Sequence, residues 1–309
     1  MTNVLKSYPL DQCPLYKLSS RRKLATLLNF DLFRLESLAS QPMNFRIFEI
    51  DQGGKRRTVE VPKAALEKVH RRLFTFLERL DKPSYLHSGR KGYSYISNAK
   101  AHVGIIPVVK LDLKKFYPSV DAARVYRFLT QVLHCSEDVG AVLTKLCTVN
   151  GHLPTGSCLS QLLAFFSAKP MFDDLDAHAH AHNVIGTCYV DDLTWSGTNA
   201  TPAFLWRAKQ IVHRHGFRYH KDKCYQANQP KIVTGVQLVR GGMSVQQGRE
   251  LAIWRSINDL SGMDEKARLE AFGSLIGKAV ASSQIDIRFL QKVKYLRRKK
   301  AALINKVVM

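Results

Sequence analysis

Residues 184–197 read VIGTCYVDDLTWSG, which is an apolar run, two adjacent aspartates and a second run rich in apolar residues. This order predicts a β-hairpin with Asp191 and Asp192 at or near its tip. Two neighbouring carboxylates repel each other unless a cation lies between them, so the pair indicates a divalent metal site. The alternative is an ordinary polar turn, because aspartate favours turns.

A third carboxylate favours the metal site. Asp112 lies in the stretch 105–113, IIPVVKLDL, which predicts a buried strand that delivers one acid. Nucleotidyl transfer needs carboxylates from separate strands around two metal ions about 4 Å apart. Mg²⁺ prefers a few carboxylates plus substrate phosphates, so no histidine or cysteine ligand is required. The sequence therefore predicts that Asp112, Asp191 and Asp192 are catalytic and bind two Mg²⁺ ions.

The charge of the chain indicates a polyanionic partner. Its 309 residues include 47 Lys and Arg against 25 Asp and Glu, a formal net charge of +22. Such an excess binds phosphates through the release of counterions, without choosing a sequence. At 45% hydrophobic residues the chain can also bury a large core. We therefore expect a folded protein that binds nucleic acid.

The cysteines and the N-terminus indicate a cytoplasmic protein. The six cysteines are scattered and form neither a CxxC pair nor a zinc-binding spacing, which is typical of thiols in a reducing compartment. The first residues, MTNVLKSYPLDQ, lack the apolar run of a secretory signal, and no stretch approaches the roughly 18 apolar residues of a membrane span.

Hydrophobic periodicity predicts an α+β fold. Strands are expected on both sides of a glycine turn within 46–61, at 105–113, in the hairpin at 184–197, at 231–238 and near 243. Helices are expected at 21–40, from Pro62 onward, at about 121–149, at about 158–180, at about 202–215, and from about 247 onward.

Further motifs accompany the three acids in a fixed order. YVDD at 189–192 fits a YxDD box, and LDLKKFYPS begins at Leu111. LPTGSCLS begins at Leu153, and HGFRYHKDK at His215. Over about residues 45–300 the chain resembles the reverse transcriptases. NAKAH at 98–102 and VTG at 233–235 fit the NAxxH and VTG signatures of the bacterial retron branch.

This resemblance implies a right-hand polymerase. An N-terminal segment and the fingers would occupy 1–105, the palm 106–246 with finger helices at about 121–150, and a short helical thumb 247–309. The enzyme would be an RNA-directed DNA polymerase. Group II intron-like and CRISPR- or defence-associated reverse transcriptases are alternatives from the same class. A catalytically silent RNA-binding scaffold is the alternative from another class.

The retron resemblance also implies partners. The enzyme would recognise its own structured noncoding RNA, use dNTPs and prime from the 2′-hydroxyl of an internal guanosine. Its product would be msDNA, a branched, RNA-linked, multicopy single-stranded DNA. Membership would further imply a role in defence against phage, with a separately encoded effector protein.

Roles at the site follow from the matched motifs. Asp112 and Asp191 would bridge the metals with help from Asp192, and the carbonyl of Leu113 would complete one coordination shell. Tyr117 would lie under the sugar and favour dNTPs. Gly156 and Lys223 occupy the family's nucleotide-binding positions.

Basic residues supply the remaining predictions. Lys55 and Arg57 are expected on one face of a strand as a triphosphate clamp with Arg90 or Lys91, although plain surface charge is the alternative. Contacts with RNA are predicted for two sets of residues. These are Asn98 and His102 in the NAxxH signature, and Arg288, Lys292, Arg297 and Arg298 in the C-terminal basic helix. For the helix, a solvated face or a frayed tail is the alternative.

Some residues depart from the family pattern or imitate a metal site. The departures are Thr155, Gln161, Val190, His220 and Cys224. The histidines at 178, 180 and 182 resemble a metal-binding tract, but no acid completes it, so we expect an exposed helix end. The acids at 173, 174 and 176 are expected to face solvent or cap a helix.

Overall fold

The structure is a computed structural model that describes residues 7–51 and 53–308. It contains helices and strands in mixed order, as an α+β fold requires. The strands are β1 (Phe45–Asp51), β2 (Arg56–Pro62), β3 (Val108–Leu113), β4 (Ile185–Tyr189), β5 (Asp192–Ser196), β6 (Tyr219–Tyr225), β7 (Lys231–Val233), β8 (Val236–Val239) and β9 (Gly242–Ser244). Residues 1–6 of the predicted N-terminal segment, Gln52 of the predicted glycine turn and Met309 lie outside the described residues.

Helices surround these strands. They are α1 (Arg21–Leu28), α2 (Leu32–Ser40), α3 (Ala64–Leu77), α4 (Tyr95–Lys100), α5 (Phe116–Ser119), α6 (Ala122–Arg127), α7 (Glu137–Cys147), α8 (Ser160–Ser167), α9 (Lys169–Ala181), α10 (Pro202–Arg214), α11 (Gln247–Asp259), α12 (Glu265–Ser283) and α13 (Phe289–Val308). Short 3₁₀ turns lie at Leu10–Gln12 and Leu260–Gly262, and a π-helical turn lies at Phe128–Val132.

A four-stranded antiparallel sheet, in the order β4-β5-β3-β6, lies at the centre. Val109, Leu111 and Leu113 alternate along β3 and belong to the main core. Because successive side chains of a strand point to opposite faces, Lys110 and Asp112 lie on the other face. The predicted strand at 105–113 is confirmed from Val108 onward.

Three long predicted helices are interrupted in the structure. The segment 21–40 forms α1 and α2, because Asn29 is left-handed at φ 58° and ends α1, while Asp31 caps α2 by accepting from the N–H of Arg34. The segment 158–180 breaks at Ala168. The predicted helix at 121–149 passes through the π-helical turn and ends before α7. The helix predicted from Pro62 begins at Ala64.

Two strand predictions need correction. The run 231–238 forms two strands, β7 and β8, because Thr234 and Gly235 have φ values of 44° and 79° and reverse the chain. The VTG signature is therefore a turn. Strand β6 was not predicted, because its sequence YHKDKCY is polar and largely exposed. Its strand form comes from pairing with β3.

The C-terminal helices form a unit with a core of their own. Ile253, Phe272, Leu275, Phe289 and Leu296 are buried together between α11, α12 and α13. This confirms the prediction of a helical segment from about 247. Within the described part of the chain, no helix has both the length and the apolar character needed to cross a membrane.

Candidate active site

The three predicted acids meet at one end of the central sheet. Asp112 and Asp192 are register partners between β3 and β5. The N–H of Leu113 donates to the carbonyl of Asp191 at 2.9 Å, which fixes the hairpin tip against the end of β3. Strand pairing and this hydrogen bond therefore bring together carboxylates that lie about 80 residues apart in the sequence.

The hairpin tip has a strained backbone. Val190 has a φ of 60°, in the left-handed region that a β-branched residue rarely adopts. Its N–H donates to Ser88 Oγ at 2.9 Å, and its side chain packs on the edge of the main core. Such conformations persist where surrounding contacts hold them, and they cluster at functional sites.

Burial and mutual repulsion shape the electrostatics of the acids. Burial, and next the charge of Asp112, raise the pKa of Asp191 to about 6. Burial also raises the pKa of Asp192, although the ammonium of Lys110 opposes this shift. Asp112 Oδ1 is buried and has no hydrogen-bond partner among the described residues. His220 Nδ1 lies 3.7 Å from that oxygen.

These features test whether the site suits a divalent cation. In the described residues, no group of three or more His, Cys, Asp or Glu side chains is arranged to hold a metal ion. The carboxylate of Asp192 is paired with Lys110. However, an orphaned carboxylate oxygen on Asp112 beside an Asp191 carboxylate with a raised pKa is a donor set that a hard cation would satisfy. The residues therefore fit a divalent ion.

Lys110 is a residue of the site that we did not predict. Its Nζ lies 3.1 Å from Oδ1 and 3.2 Å from Oδ2 of Asp192. The sequence carried a signal, because Lys110 is the one charged residue before Asp112 in an otherwise apolar run. A charge two positions before the acid must share its face of the strand.

Tyr117 lies beside the acids. Burial, and next the charge of Asp191, raise the pKa of Tyr117 to about 12. Its neighbour Phe116 is buried against Phe172 and Phe217, with ring centroids 5.9 and 6.0 Å away. The aromatic cluster under this turn therefore fixes the backbone that carries Tyr117.

The PTG segment, residues 154–156, lies on the edge of β2. Thr155 Oγ1 accepts from the N–H of Glu60 at 3.2 Å and donates to the carbonyl of Thr58 at 3.0 Å. The N–H of Gly156 donates to the carbonyl of Glu60 at 3.0 Å. A Cβ on Gly156 would lie 2.9 Å from that carbonyl oxygen, so only glycine allows this approach. The departure at Thr155 thus has a structural role.

The buried carboxylate of Glu60 strengthens this docking. It accepts from the N–H of Thr155 at 3.2 Å and lies 3.1 Å from His152 Nε2. The hydroxyl of Ser157 lies 2.6 Å from Nδ1 of the buried His70. The segment that begins at Leu153 is therefore tied to β2 and to α3.

The predicted triphosphate clamp is only partly organised. Arg57 lies in β2, whereas Lys55 precedes the strand, so the expected alternation along one strand is wrong for Lys55. Arg90 donates to the carbonyl of Pro83 at 3.0 Å and stacks on Tyr93. Lys91 is exposed.

Strand β6 brings Lys223 and His220 to the site, but not Cys224. Lys223 is exposed and is the register partner of Lys110, so it lies on the face of the acids. His220 is the departure that approaches Asp112. Cys224 is exposed and is the register partner of Val109, so it belongs to the opposite face.

The structure contradicts a direct RNA contact by the NAxxH side chains. Asn98 and His102 are both fully buried. The ring nitrogens of His102 lie 2.7 Å from Thr187 Oγ1 and 2.8 Å from Ser196 Oγ, which ties together the two strands of the YVDD hairpin. Burial lowers the pKa of His102 to about 3, so the ring is neutral. Thr187 and Ser196 share the face of the sheet that carries the acids, so His102 supports that face away from the hairpin tip.

The two signature segments contact each other. Thr234 Oγ1 donates to the carbonyl of Tyr95 at 2.7 Å. Ala99 of α4 and Val233 of β7 share a small buried cluster with Val108 of β3. Together the two signature segments cover one end of a sheet face, and the acids lie at the other end of the same face.

A cavity of about 790 Å³ opens between this region and the C-terminal unit. Its lining includes Tyr95, Tyr189, Arg249 and Lys278. The predicted RNA-binding residues of the C-terminal segment differ in their surroundings, and Arg288 lies just before α13. Arg288 is paired with Asp286 at 2.6 Å and Lys292 lies 3.5 Å from Glu250, while Arg297 and Arg298 are exposed.

The histidine tract and the acidic cluster are explained by local contacts. The ring of His178 stacks on Phe204 at 4.3 Å and contacts His182, so the tract is partly packed rather than wholly exposed. Asp173 pairs with Lys169 at 2.6 Å and Asp174 with His215 at 2.8 Å. Asp176 lies 3.5 Å from His180.

Comparison with known proteins identifies homologues. The retron Se72 reverse transcriptase of Salmonella heidelberg is 32% identical over 158 residues, which cover 49% of this chain and 42% of the relative. The retron Ec86 reverse transcriptase of Escherichia coli is 27% identical over 56% of this chain and 54% of its own length. The retron Mx162 reverse transcriptase of Myxococcus xanthus is 29% identical over 63% of this chain and 47% of its own length.

The chain thus spans about half the length of the curated relatives it matches. No protein-family profile matches it. Several retron reverse transcriptases are nevertheless its homologues, and they support the resemblance that its motifs indicate.

Proposed function

We propose that this homologue of the bacterial retron reverse transcriptases is itself an RNA-directed DNA polymerase that makes msDNA from its cognate noncoding RNA. The observation that carries the proposal is the convergence of Asp112, Asp191 and Asp192 at one sheet end. The homology of the chain supports it.

The residues have distinct roles in this proposal. Asp112 and Asp191, with the carbonyl of Leu113, would hold two Mg²⁺ ions, and Asp192 would assist. When bound, such ions activate the attacking hydroxyl and stabilise charge on the triphosphate and the leaving pyrophosphate. Tyr117 would exclude the ribose 2′-hydroxyl, because the charge of Asp191 reaches its phenol and the buried Phe116 fixes the adjoining backbone.

Basic side chains would hold the phosphates. Arg57 with Lys55, Arg90 or Lys91 would contact the triphosphate, and the fixed Gly156 loop would support the nucleotide. Lys223, on the face of the acids, would lie near the reacting phosphates. Arg288, just before α13, and Lys292, Arg297 and Arg298 within it would contact RNA through phosphates and shape.

A right-hand architecture follows from the same proposal. Residues 106–246 would be the palm, 1–105 with the helices at about 121–150 the fingers, and 247–309 the thumb. The 790 Å³ cavity between Tyr189 and Lys278 lies where a palm and a thumb would flank a duplex.

All six cysteines, each of them among the described residues, are free thiols, which agrees with a reducing cytoplasm. A role in phage defence, with a separate effector, completes the proposal.

Two assays test the proposal in sequence. The purified chain should extend a primed RNA template with dNTPs and Mg²⁺, whereas the Asp191→Asn, Asp192→Asn double variant should not. Cells that carry the chain with its native upstream DNA should accumulate a short branched DNA, again only with intact acids. Primer extension without branched DNA would retain the polymerase and reject the retron product. Neither activity would favour an RNA-binding scaffold.

A further inference from the structure

The three carboxylates of the site are not equivalent. Lys110 reaches both oxygens of Asp192, at 3.1 and 3.2 Å, and the two side chains are only 16% and 27% exposed. Asp112 has instead a buried oxygen without a hydrogen-bond partner in the described chain, and its nearest basic group, His220, is 3.7 Å away. The protein itself therefore neutralises one acid of the three.

The position of Lys110 is set by the sheet. It lies two residues before Asp112 on β3 and opposite Thr194, which is two residues after Asp192 on β5. Both carboxylates and the lysine therefore share one face. Lys223 is the register partner of Lys110 on its other side, so a like charge flanks the ammonium on β6. This favours the tilt of Lys110 toward Asp192.

Occupied oxygens limit what Asp192 can bind. A divalent ion that took an oxygen of Asp192 would compete with the ammonium for the carboxylate, because Nζ already lies within 3.2 Å of both oxygens. The ion would also lie close to the positive charge of Lys110, which repels it. Asp112 and Asp191 carry no such restriction.

We propose that Lys110 is an internal counter-cation that occupies Asp192 in the metal-free protein and exchanges with a divalent ion. Asp112 and Asp191 form the resident pair for the first ion, and Asp192 joins only when Lys110 leaves it. This rests on the proposed polymerase function, since it assigns Lys110 as a positioning residue of that site. By reciprocity, ion binding weakens the Lys110–Asp192 pair by the same factor by which Lys110 weakens ion binding.

The test measures Mn²⁺ binding to the full chain without nucleic acid, by electron paramagnetic resonance of the free ion. Lys110→Met keeps the length of the side chain and removes its charge, so it should bind Mn²⁺ about tenfold more tightly than the wild type. Lys209→Met is the matched control, because Lys209 pairs with Asp222 at 2.8 Å and is similarly shielded. It should leave Mn²⁺ affinity unchanged.

Thermal unfolding gives a second readout. In EDTA, Lys110→Met should melt below the wild type, because the carboxylate of Asp192 is left unpaired. Saturating Mn²⁺ should raise its melting temperature by more than that of the wild type. If the ion pair is purely structural, Lys110→Met should melt below the wild type by the same amount in EDTA and in Mn²⁺, and its Mn²⁺ affinity should be unchanged. That result would overturn the proposal.

A third comparison does not depend on the folding of any Lys110 variant. If Lys110 withholds Asp192, then Asp192→Asn should weaken Mn²⁺ binding less than about threefold, whereas Asp191→Asn should weaken it more than about tenfold. Equal losses in the two variants would overturn the proposal. A chain that extends primers but fails this comparison loses only the role of Lys110. A chain that passes it but extends no primer loses the polymerase assignment.

Discussion

Asp112 and Asp192 are direct register partners on adjacent antiparallel strands, and the N–H of Leu113 holds Asp191 next to them at 2.9 Å. The pairing of β3 with β5 sets the spacing of Asp112 and Asp192, and the hydrogen bond from Leu113 fixes the turn that carries Asp191. Substitutions at these positions should therefore change charge while leaving the backbone in place.

Asp191→Asn should stabilise the metal-free protein at pH 8. The pKa of Asp191 is raised to about 6 by burial and by Asp112. The fold therefore favours the protonated form, and this contribution to stability is lost as pH rises from about 4 through about 6. Asparagine avoids the charge, so we expect a gain of about 1 to 3 kcal/mol at pH 8 and little gain at pH 4. Urea denaturation in EDTA, at pH 8 and at pH 4, measures the change in the free energy of unfolding at each pH.

The control is Asp222→Asn, which removes an acid from the exposed strand β6. It should change the free energy of unfolding by less than about 1 kcal/mol at either pH. An Asp191→Asn variant that is destabilised to the same extent at both pH values would refute the electrostatic explanation.

His102→Gln should weaken the fold and spare RNA binding. The ring bonds to Thr187 and Ser196 from a fully buried position, so its loss should cost about 2 kcal/mol at pH 7.5. Because the pKa of His102 is lowered to about 3, its contribution is complete above about 6.5 and declines as pH falls below that value. The variant should therefore lose less stability than the wild type between pH 7 and pH 5.

RNA affinity is the discriminating measurement for His102. Filter binding, well below the melting temperature, should give the same dissociation constant for His102→Gln as for the wild type. A large loss of affinity in a folded variant would restore the RNA contact that the sequence predicted.

Tyr117→Val should relax the discrimination between dNTPs and rNTPs. The charge of Asp191 acts on the Tyr117 phenol, and removing the bulk of the ring should make room for a 2′-hydroxyl. We expect the ratio of kcat/KM values to fall by about 10- to 100-fold. Tyr117→Phe keeps the ring and should retain the wild-type ratio. Equal discrimination in both variants would remove Tyr117 from sugar selection.

Gly156→Ala should detach the PTG segment from β2. The added methyl would lie 2.8 Å from Val61 Cγ2 and 2.9 Å from the carbonyl oxygen of Glu60, so the loop must move. The expected result is a rise in KM for dNTPs with unchanged RNA affinity, measured by steady-state extension. Gly248→Ala is the control, since no atom lies within 4 Å of its added Cβ. It should leave KM unchanged.

Replacing Arg297 and Arg298 with Gln should weaken RNA binding and lower its salt dependence. Both side chains are exposed on α13. Loss of two phosphate contacts should reduce the slope of log K against log salt by about 1.5. The exposed pair Arg22 and Lys23 on α1 provides a control double variant, which should keep the wild-type slope. An unchanged slope in the α13 variant would exclude this face from the interface.

The sequence was most informative where short-range pattern and local geometry agree. The hairpin that carries Asp191 could be predicted, because apolar strands on both sides of a polar tip have few other solutions. The strand of Asp112 could be predicted for the same reason. The breaks at Asn29 and Ala168 were missed, because each depends on a backbone conformation that periodicity does not report.

Other features depend on tertiary contacts. Strand β6 is polar and takes its form from β3, so nothing in its own pattern predicts it. The burial of Asn98 and His102 follows from the packing of α4 on the sheet, which a linear motif cannot reveal. The pairing of Lys110 with Asp192 joins residues 82 positions apart.

The hydrogen bond from Thr234 to the carbonyl of Tyr95 joins the VTG turn to the start of the NAxxH helix. Two motifs that are read separately along the chain are thus one physical part, with a shared apolar cluster beneath it. Changes in either motif should show epistasis with changes in the other. A chimaera that exchanges one motif between distant relatives should fold poorly unless the other is exchanged with it.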